Sequence, residues 1–206
     1  MQKLSYRGLP STIYVDYCHT PVALEKVLSE LQSSHQGKLI LVFGCGGDRD
    51  TGKRPQMGKI ANNLADIAVV TDDNPRSETP ENIREDIIKA CPNAINVGGR
   101  RKAIEEAINM LKKEDILLIA GKGHEDYQII GDEVIHFSDR ECVEEFLMTD
   151  PDGGNENGTN AHRSFANDDL ALACDGKYGK QDRFKTILKT LPLKYEKIFP
   201  EERYIY

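Results

Sequence analysis

The sequence predicts an α/β fold, in which a Rossmann-like, mainly parallel sheet has helices on both faces and a closing β-hairpin. Between residues 12 and 147, short apolar runs alternate with helical patterns, as in parallel sheets with crossover helices. Most of these runs are aliphatic and bounded by glycine or aspartate, which is typical of central strands covered on both faces. Near the end, a Gly-Asp pair between two strand-like segments indicates the hairpin.

The predicted strands follow from these runs. A first strand covers residues 13–15, and the four runs expected to be central strands cover residues 39–43, 67–70, 94–97 and 116–120. The hairpin strands are residues 127–130 and 133–137, joined by Gly131-Asp132.

Capping residues and apolar stripes predict the helices. Thr20-Pro21 and Thr79-Pro80 each place a capping residue before a proline at the first helical position. Ser138 followed by Glu141 is a capping-box pattern that opens a last helix. Two more helices are predicted from apolar residues at helical spacing: Met57, Ile60, Ala61, Leu64 and Ala65 in one, and Ala103, Ile104, Ala107, Ile108 and Leu111 in the other.

Composition excludes several functional classes. The formal net charge is −7 and the pI is about 5.3, which argues against nucleic acid or an anionic membrane as the main partner. No apolar run approaches the roughly 18 residues that span a bilayer, and no secretory signal is recognised at the start. The five cysteines are scattered, without a C-x-x-C pair or metal-ligand spacing. Reduced thiols in a cytoplasmic protein, with no bound metal, fit this pattern.

Two polar clusters follow predicted strands directly. Residues 72–76 read Asp-Asp-Asn-Pro-Arg, and residues 121–125 read Gly-Lys-Gly-His-Glu. Both should lie past the carboxyl ends of buried strands, where open α/β sheets place their ligand sites. Arg76 can pair with a carboxylate, the Asn74 amide can accept from an ammonium or donate to an oxygen, and Glu125 can receive an amine. Together these groups predict a site for an amino acid.

Two further clusters suit a ligand site, although each has a structural interpretation. Residues 44–50, Gly-Cys-Gly-Gly-Asp-Arg-Asp, form a glycine-rich strand-to-helix loop that is either a tight turn or an anion site. Arg49, Lys53 and Arg54 beside the glycines favour the anion. Asp16 and His19 lie between a strand and a capped helix, where they suit acid–base, ribose or phosphate roles, and Asp16 is equally well explained as a turn former. The cluster around Asn74 is also good turn chemistry, and His124 is more simply explained as a structural residue.

Taken together, these clusters closely resemble the carboxy-terminal domain of the Mur ligases. D-Y-x-H-T-P, G-C-G-G-D-R-D-x-G-K-R-P, D-D-N-P-R and G-K-G-H-E-D-Y-Q occur in this order over about residues 10–148. The resemblance implies ATP-driven amide formation in peptidoglycan precursor synthesis, and D-N-P-R resembles the signature of the branch that uses diaminopimelate. It further implies that meso-diaminopimelate is bound by Arg49, Asn74, Pro75, Arg76, Gly121 and Glu125. Asp16 and His19 would support the nucleotide side of catalysis.

The resemblance also implies partners and a domain organisation. A complete enzyme uses ATP, Mg²⁺ and a UDP-MurNAc-dipeptide, but this sequence has no G-x-x-G-K-[ST] phosphate loop. We therefore expect no tight cofactor binding by this chain alone. We expect turnover only with amino-terminal and central ligase domains, supplied by a separate partner chain or by the rest of this one. A stand-alone amino-acid-binding module and a degenerate ligase fragment are the alternatives. The expected segments are a remnant of a preceding domain (1–11), the ligase-like domain (12–148), a flexible linker (149–168) and a short tail (169–206).

Overall fold

The computed structural model of the chain describes residues 1–149, except Ser5, Arg7, Gly8, Pro10 and His35. The predicted tail, and the predicted linker beyond Thr149, lie outside the described residues. The expected domain boundaries therefore remain predictions.

The described residues form eight strands and five helices. The strands are β1 (Gln2–Leu4), β2 (Thr12–Asp16), β3 (Leu39–Phe43), β4 (Ile67–Val70), β5 (Ile95–Asn96), β6 (Ile116–Ala120), β7 (Tyr127–Ile130) and β8 (Glu133–His136). The helices are α1 (Pro21–Ser34), α2 (Lys53–Leu64), α3 (Pro80–Ile88), α4 (Arg100–Asn109) and α5 (Asp139–Thr149).

A six-stranded sheet in the order β1-β2-β6-β3-β4-β5 organises the fold. All neighbouring pairs are parallel except β1 with β2, and β7 and β8 form a separate antiparallel hairpin. The predicted α/β class, with a mainly parallel sheet and a closing hairpin, is confirmed. Because the chain crosses the sheet in both directions from β3, the loops after β2, β3, β4 and β6 meet at one edge, where such sheets bind ligands.

Helices cover the two faces of the sheet and bury its strands. Strands β3 and β6 are buried at every position, because their alternate side chains enter two different cores. One core contains Leu24, Leu28 and Leu31 of α1 together with residues of α2 and α3. The other contains Ala103 and Ile104 of α4 together with residues of α5.

Two strand predictions differ from the structure. Residues 94–97 were expected to be a central strand, but β5 has only two residues, both exposed, and lies at the sheet edge. Local apolarity cannot reveal whether a further strand pairs alongside, so a short edge strand resembles a central one. Gln2–Leu4 contributes an edge strand where none was predicted, because this polar segment buries only Leu4 and lacks an apolar pattern.

The helix starts are confirmed, although the caps differ in detail. The Thr20 hydroxyl accepts a hydrogen bond from the Ala23 amide at 3.3 Å, as expected for a cap. Thr79 makes no side-chain cap bond, so Pro80 at the start of α3 is the remaining signal. Only half of the predicted capping box forms: the Ser138 hydroxyl accepts from the Glu141 amide at 3.4 Å, whereas the Glu141 carboxylate lies 2.5 Å from the His136 ring.

Candidate functional site

A polar cavity of about 460 Å³ lies at the carboxyl edge of the sheet. The loops after β2, β3, β4 and β6 form most of its wall, and the hairpin contributes one tyrosine. The lining residues are Tyr17, His19, Thr20, Gly46, Arg49, Asp50, Lys53, Asp73, Asn74, Arg76, Gly121, Glu125 and Tyr127.

Six of the eight predicted site residues line this cavity. His19, Arg49, Asn74, Arg76, Gly121 and Glu125 come together, whereas Asp16 and Pro75 do not line it. The Asp16 carboxylate instead contacts the Met1 ammonium at 2.7 Å and accepts from the Cys18 amide at 2.8 Å. Burial disfavours ionisation of Asp16, but these two hydrogen bonds outweigh burial and lower its pKa. Pro75 has a packing role, because its carbonyl oxygen lies where a side chain on Gly47 would have to stand.

The Asn74 amide is buried and held in one orientation. Its Oδ1 accepts from the Ile129 amide at 3.0 Å and from Lys122 Nζ at 3.3 Å. Both partners can only donate, so the atom that faces them must be the oxygen. The Nδ2 group therefore points the other way, toward Glu125 Oε2 at 3.4 Å. Of the two roles considered for Asn74, donation to an oxygen is the one that this geometry supports.

The Arg76 guanidinium is fixed by backbone carbonyls. Its Nη1 donates to the Gly47 oxygen at 2.8 Å and to the Asn74 oxygen at 3.3 Å. No partner among the described residues accepts from its Nε or Nη2, so these donors are available to a ligand carboxylate. The Arg76 backbone has φ +52° and is hydrogen-bonded to the hairpin, donating to the Ile129 oxygen and accepting from the Gly131 amide.

Hydrogen bonds hold the glycine-rich loop after β3 against the loop that carries Arg76. The Asp48 carboxylate accepts from the Ser77 hydroxyl at 2.7 Å and from the Ser77 amide at 3.1 Å. The Gly47 amide donates to the Asn74 oxygen at 2.9 Å. Arg49 is exposed beside these hydrogen bonds and lines the cavity. The loop therefore contributes Arg49 to the wall of the cavity that Arg76 also lines.

Aromatic rings lie at the rim of the cavity. The His19 ring packs edge-on against Tyr17, with ring centroids 4.5 Å apart, and the centroid of the His124 ring lies 5.2 Å from that of Tyr17. His19 Nδ1 lies 2.9 Å from the Tyr17 carbonyl oxygen. A carbonyl can only accept, so Nδ1 carries the hydrogen and Nε2 of the neutral ring remains an acceptor.

Lys122 and Asp73 are central to the site, but sequence reasoning did not single them out. Lys122 is fully buried, with Nζ 3.6 Å from Asp73 Oδ1 and 3.4 Å from Glu125 Oε2. A lysine between two glycines directly after a buried strand was the available signal, because such a position leaves the side chain little access to water. Asp50 and Tyr127 were also missed. Lys53, which the sequence associates with an anionic ligand, does line the cavity, and its Nζ donates to the His19 oxygen at 3.0 Å. Arg54 does not line it and pairs with Glu78 and Asp86.

The described part of the chain contains neither a metal-binding cluster nor a membrane-spanning helix. No group of three or more His, Cys, Asp or Glu residues within it is arranged to hold a metal ion. No helix within it is both long enough and apolar enough to cross a bilayer.

Comparison with known proteins identifies the family. The family model described as "Mur ligase, glutamate ligase domain" matches residues 1–123. The chain is 60% identical over 131 residues to a UDP-N-acetylmuramoyl-L-alanyl-D-glutamate–2,6-diaminopimelate ligase of Mesorhizobium japonicum, covering 64% of the chain and 27% of that protein. It is 56% identical over 144 residues to the protein of that name from Rickettsia bellii, covering 68% of the chain and 30% of that protein.

A solved structure of a ligase with this name agrees in fold. It superposes with a TM-score of 0.69 at 38% identity, over 73% of this chain and 31% of that one. The chain therefore belongs to the Mur ligase family, and the resemblance seen in the sequence is confirmed. It spans less than a third of the length of these relatives.

Proposed function

We propose that this chain is the amino-acid-binding domain of an ATP-dependent ligase that adds meso-diaminopimelate to a UDP-MurNAc-dipeptide. The relatives that carry this name match the chain over 131 and 144 residues, at 60% and 56% identity. The observation that carries the proposal is the placement of Arg76 and Glu125 on the wall of the same cavity. Opposite charges on the wall of one cavity suit a ligand end that carries both a carboxylate and an ammonium.

The chemistry of diaminopimelate fits these groups. One end of the molecule would supply the reacting amine, and the other would be held as a zwitterion. Arg76 and Arg49 would bind the distal carboxylate, the Asn74 amide would donate to the same group, and Glu125 would accept the distal ammonium. Lysine has no distal carboxylate, so it would leave the two guanidinium groups without a counter-charge and should bind more weakly.

ATP and Mg²⁺ would be held elsewhere in the complete ligase. The described residues do not fit a metal–nucleotide site, because they contain no cluster of metal-ligating side chains and the sequence has no phosphate loop. In this proposal the chain positions the incoming amino acid, and amino-terminal and central ligase domains activate the UDP-linked carboxylate. We place this activity in the cytoplasm, where thiols such as the buried, unpaired Cys18 and Cys45 stay reduced.

Calorimetric titration of the 206-residue chain tests the binding step. We expect meso-diaminopimelate to bind with an affinity as weak as about 1 mM, roughly 4 kcal/mol, because closure over ATP normally completes such a site. Lysine should bind at least about tenfold more weakly, consistent with the loss of one charge-assisted pair. Equal affinity for the two amino acids would contradict the assigned roles of Arg49 and Arg76.

A second experiment tests turnover. The chain is mixed with separately expressed amino-terminal and central domains of a related ligase, a UDP-MurNAc-dipeptide, ATP and Mg²⁺, and ADP release is followed. ADP release that depends on meso-diaminopimelate would support the proposal that this chain is a component of a ligase. Binding without ADP release under these conditions would favour a binding module that does not catalyse the reaction.

A further inference from the structure

Lys122 is a buried cation surrounded by residues of the cavity wall. Its side chain is fully buried, and Nζ lies 3.3 Å from Asn74 Oδ1, 3.4 Å from Glu125 Oε2 and 3.6 Å from Asp73 Oδ1. The ammonium also lies 5.5 Å from the centre of the Tyr127 ring. Lysine is almost never fully buried unless it is paired, and here all four neighbours line the cavity while Lys122 does not.

We propose that Lys122 is a positioning residue that sets the donor and acceptor pattern of the amino-acid site. The proposal rests on the proposed function, because the ligand is the same amino acid. Lys122 acts through its neighbours: it orients the Asn74 amide and holds the Glu125 carboxylate.

The first step concerns the Asn74 amide. Lys122 Nζ and the Ile129 amide both donate to Oδ1, which turns Nδ2 toward Glu125. Without the ammonium, one of the two donors that define this orientation is lost. A ligand carboxylate would then meet a less firmly oriented amide.

Lys122 also balances the charge of the two carboxylates beside it. Asp73 and Glu125 are two carboxylates within 4 Å of one ammonium, so the three groups together carry one net negative charge. That charge matches a single ligand ammonium. With a neutral residue at position 122, two carboxylates would share a partly buried site without a cation, and Glu125 would be held less firmly for the ligand.

A double-mutant cycle on the 206-residue chain tests this positioning role. Affinity for meso-diaminopimelate is measured for the native chain, Lys122→Met, Glu125→Gln and the double variant. We expect Lys122→Met to weaken binding by about 10–100-fold, the range for a lost charge-assisted hydrogen bond. In the Glu125→Gln background the same change should weaken binding by less than about threefold, because the effects of substitutions at coupled residues are not additive. Equal factors in both backgrounds would overturn the proposal.

A ligand-free measurement separates this inference from the proposed function. The ammonium of a buried lysine can be followed by ¹⁵N NMR, and we expect the Lys122 Nζ signal to shift in Glu125→Gln. The control variant Glu106→Gln, which removes a carboxylate that pairs with Lys102 on the outer surface of α4, should leave it unchanged. Failure of the native chain to bind meso-diaminopimelate would overturn the proposed function, and with it the role of Lys122 in binding. An unshifted ammonium signal would overturn the Lys122 proposal even if the amino acid binds.

Lys122→Gln guards against a variant that fails to fold. Glutamine can still donate to Asn74 Oδ1 but carries no charge. Thermal unfolding establishes that the variant is folded before its affinity is measured. Under the proposal its affinity lies between those of the native chain and Lys122→Met, and native affinity in folded Lys122→Gln would overturn the charge step.

Discussion

Arg100 and Asp139 form a bidentate ion pair that is closed off from solvent. Nε lies 2.7 Å from Oδ1 and Nη2 lies 2.8 Å from Oδ2, and both side chains are 0% exposed. The pair joins the first residue of α4 to the first residue of α5, and Arg100 Nη2 also donates to the Ala120 oxygen at 2.9 Å. It therefore fixes the end of β6, from which the Gly121–Glu125 loop departs.

Arg100→Met should lower the free energy of unfolding by about 3–5 kcal/mol, because it leaves the Asp139 carboxylate buried without its partner. Urea unfolding followed by circular dichroism measures this change. Arg101→Met is the matched control: its pair with Glu145 is about half exposed, so it should cost at most about 1 kcal/mol. Similar losses of unfolding free energy in the two variants would show that burial of the Arg100–Asp139 pair does not increase its contribution to stability.

Arg76→Ala should weaken binding of meso-diaminopimelate by about 10–100-fold, because a bidentate contact to a charged carboxylate is lost. Arg76→Lys should not restore the affinity, since an ammonium cannot reproduce the planar fork. Calorimetry measures both variants. Arg140→Ala, which removes an exposed arginine paired with Glu144, should bind like the native chain. Native affinity in folded Arg76→Ala would remove Arg76 from the site.

Gly47→Ala should destabilise the chain by about 1–3 kcal/mol or more, as expected for overpacking. A Cβ at Gly47 would lie 1.9 Å from the Pro75 oxygen, so the two clamped loops would have to separate. Gly52→Ala is the control, because its nearest neighbour is a side-chain oxygen at 3.1 Å and its backbone is helical. Thermal unfolding compares them, and equal melting temperatures would contradict the close approach.

Stability should fall as the pH rises above about 9. Burial raises the pKa of the Cys18, Cys45 and Cys142 thiols from 9.0 to about 12. Between these values the unfolded chain releases protons that the folded chain keeps, so unfolding becomes easier by about 1.4 kcal/mol per pH unit for each thiol. Below pH 9 this contribution to stability is fully present.

Urea unfolding between pH 8 and pH 11 measures this alkaline slope. Cys45→Ala should reduce the slope by about 1.4 kcal/mol per pH unit, the contribution of one thiol, because the variant lacks that buried ionisable group. A slope unchanged by this substitution would show that Cys45 ionises equally easily in the folded and unfolded chains.

The order of the parallel strands and helices could be predicted from the sequence, because buried strands appear as short apolar runs and helices as apolar residues at helical spacing. Strands β1 and β5 were not read correctly, since each lies at a sheet edge where pairing depends on distant residues. The convergence of Arg76, Asn74 and Glu125 could be predicted because all three follow strand ends.

The finer arrangement of the site could not be predicted, because it depends on contacts between residues that are distant in the chain. The sequence left two roles open for the Asn74 amide, and only its contacts with Ile129 and Lys122 separate them. Asp16 fits an acid–base role by type and position, yet its contacts are with Met1 and Cys18. The contacts of Lys122 with Asn74 and Asp73 join loops that are far apart in the chain, and no local pattern encodes them.

The hairpin is attached to the candidate site by its backbone, through the Ile129 amide on Asn74 and the hydrogen bonds between Arg76 and residues 129 and 131. Peeling β7 away would release the Asn74 oxygen and the Arg76 backbone in the same motion. A ligand bound to Asn74 and Arg76 would therefore favour the attached hairpin, so an occupied cavity should slow hydrogen–deuterium exchange at Ile129 and Gly131.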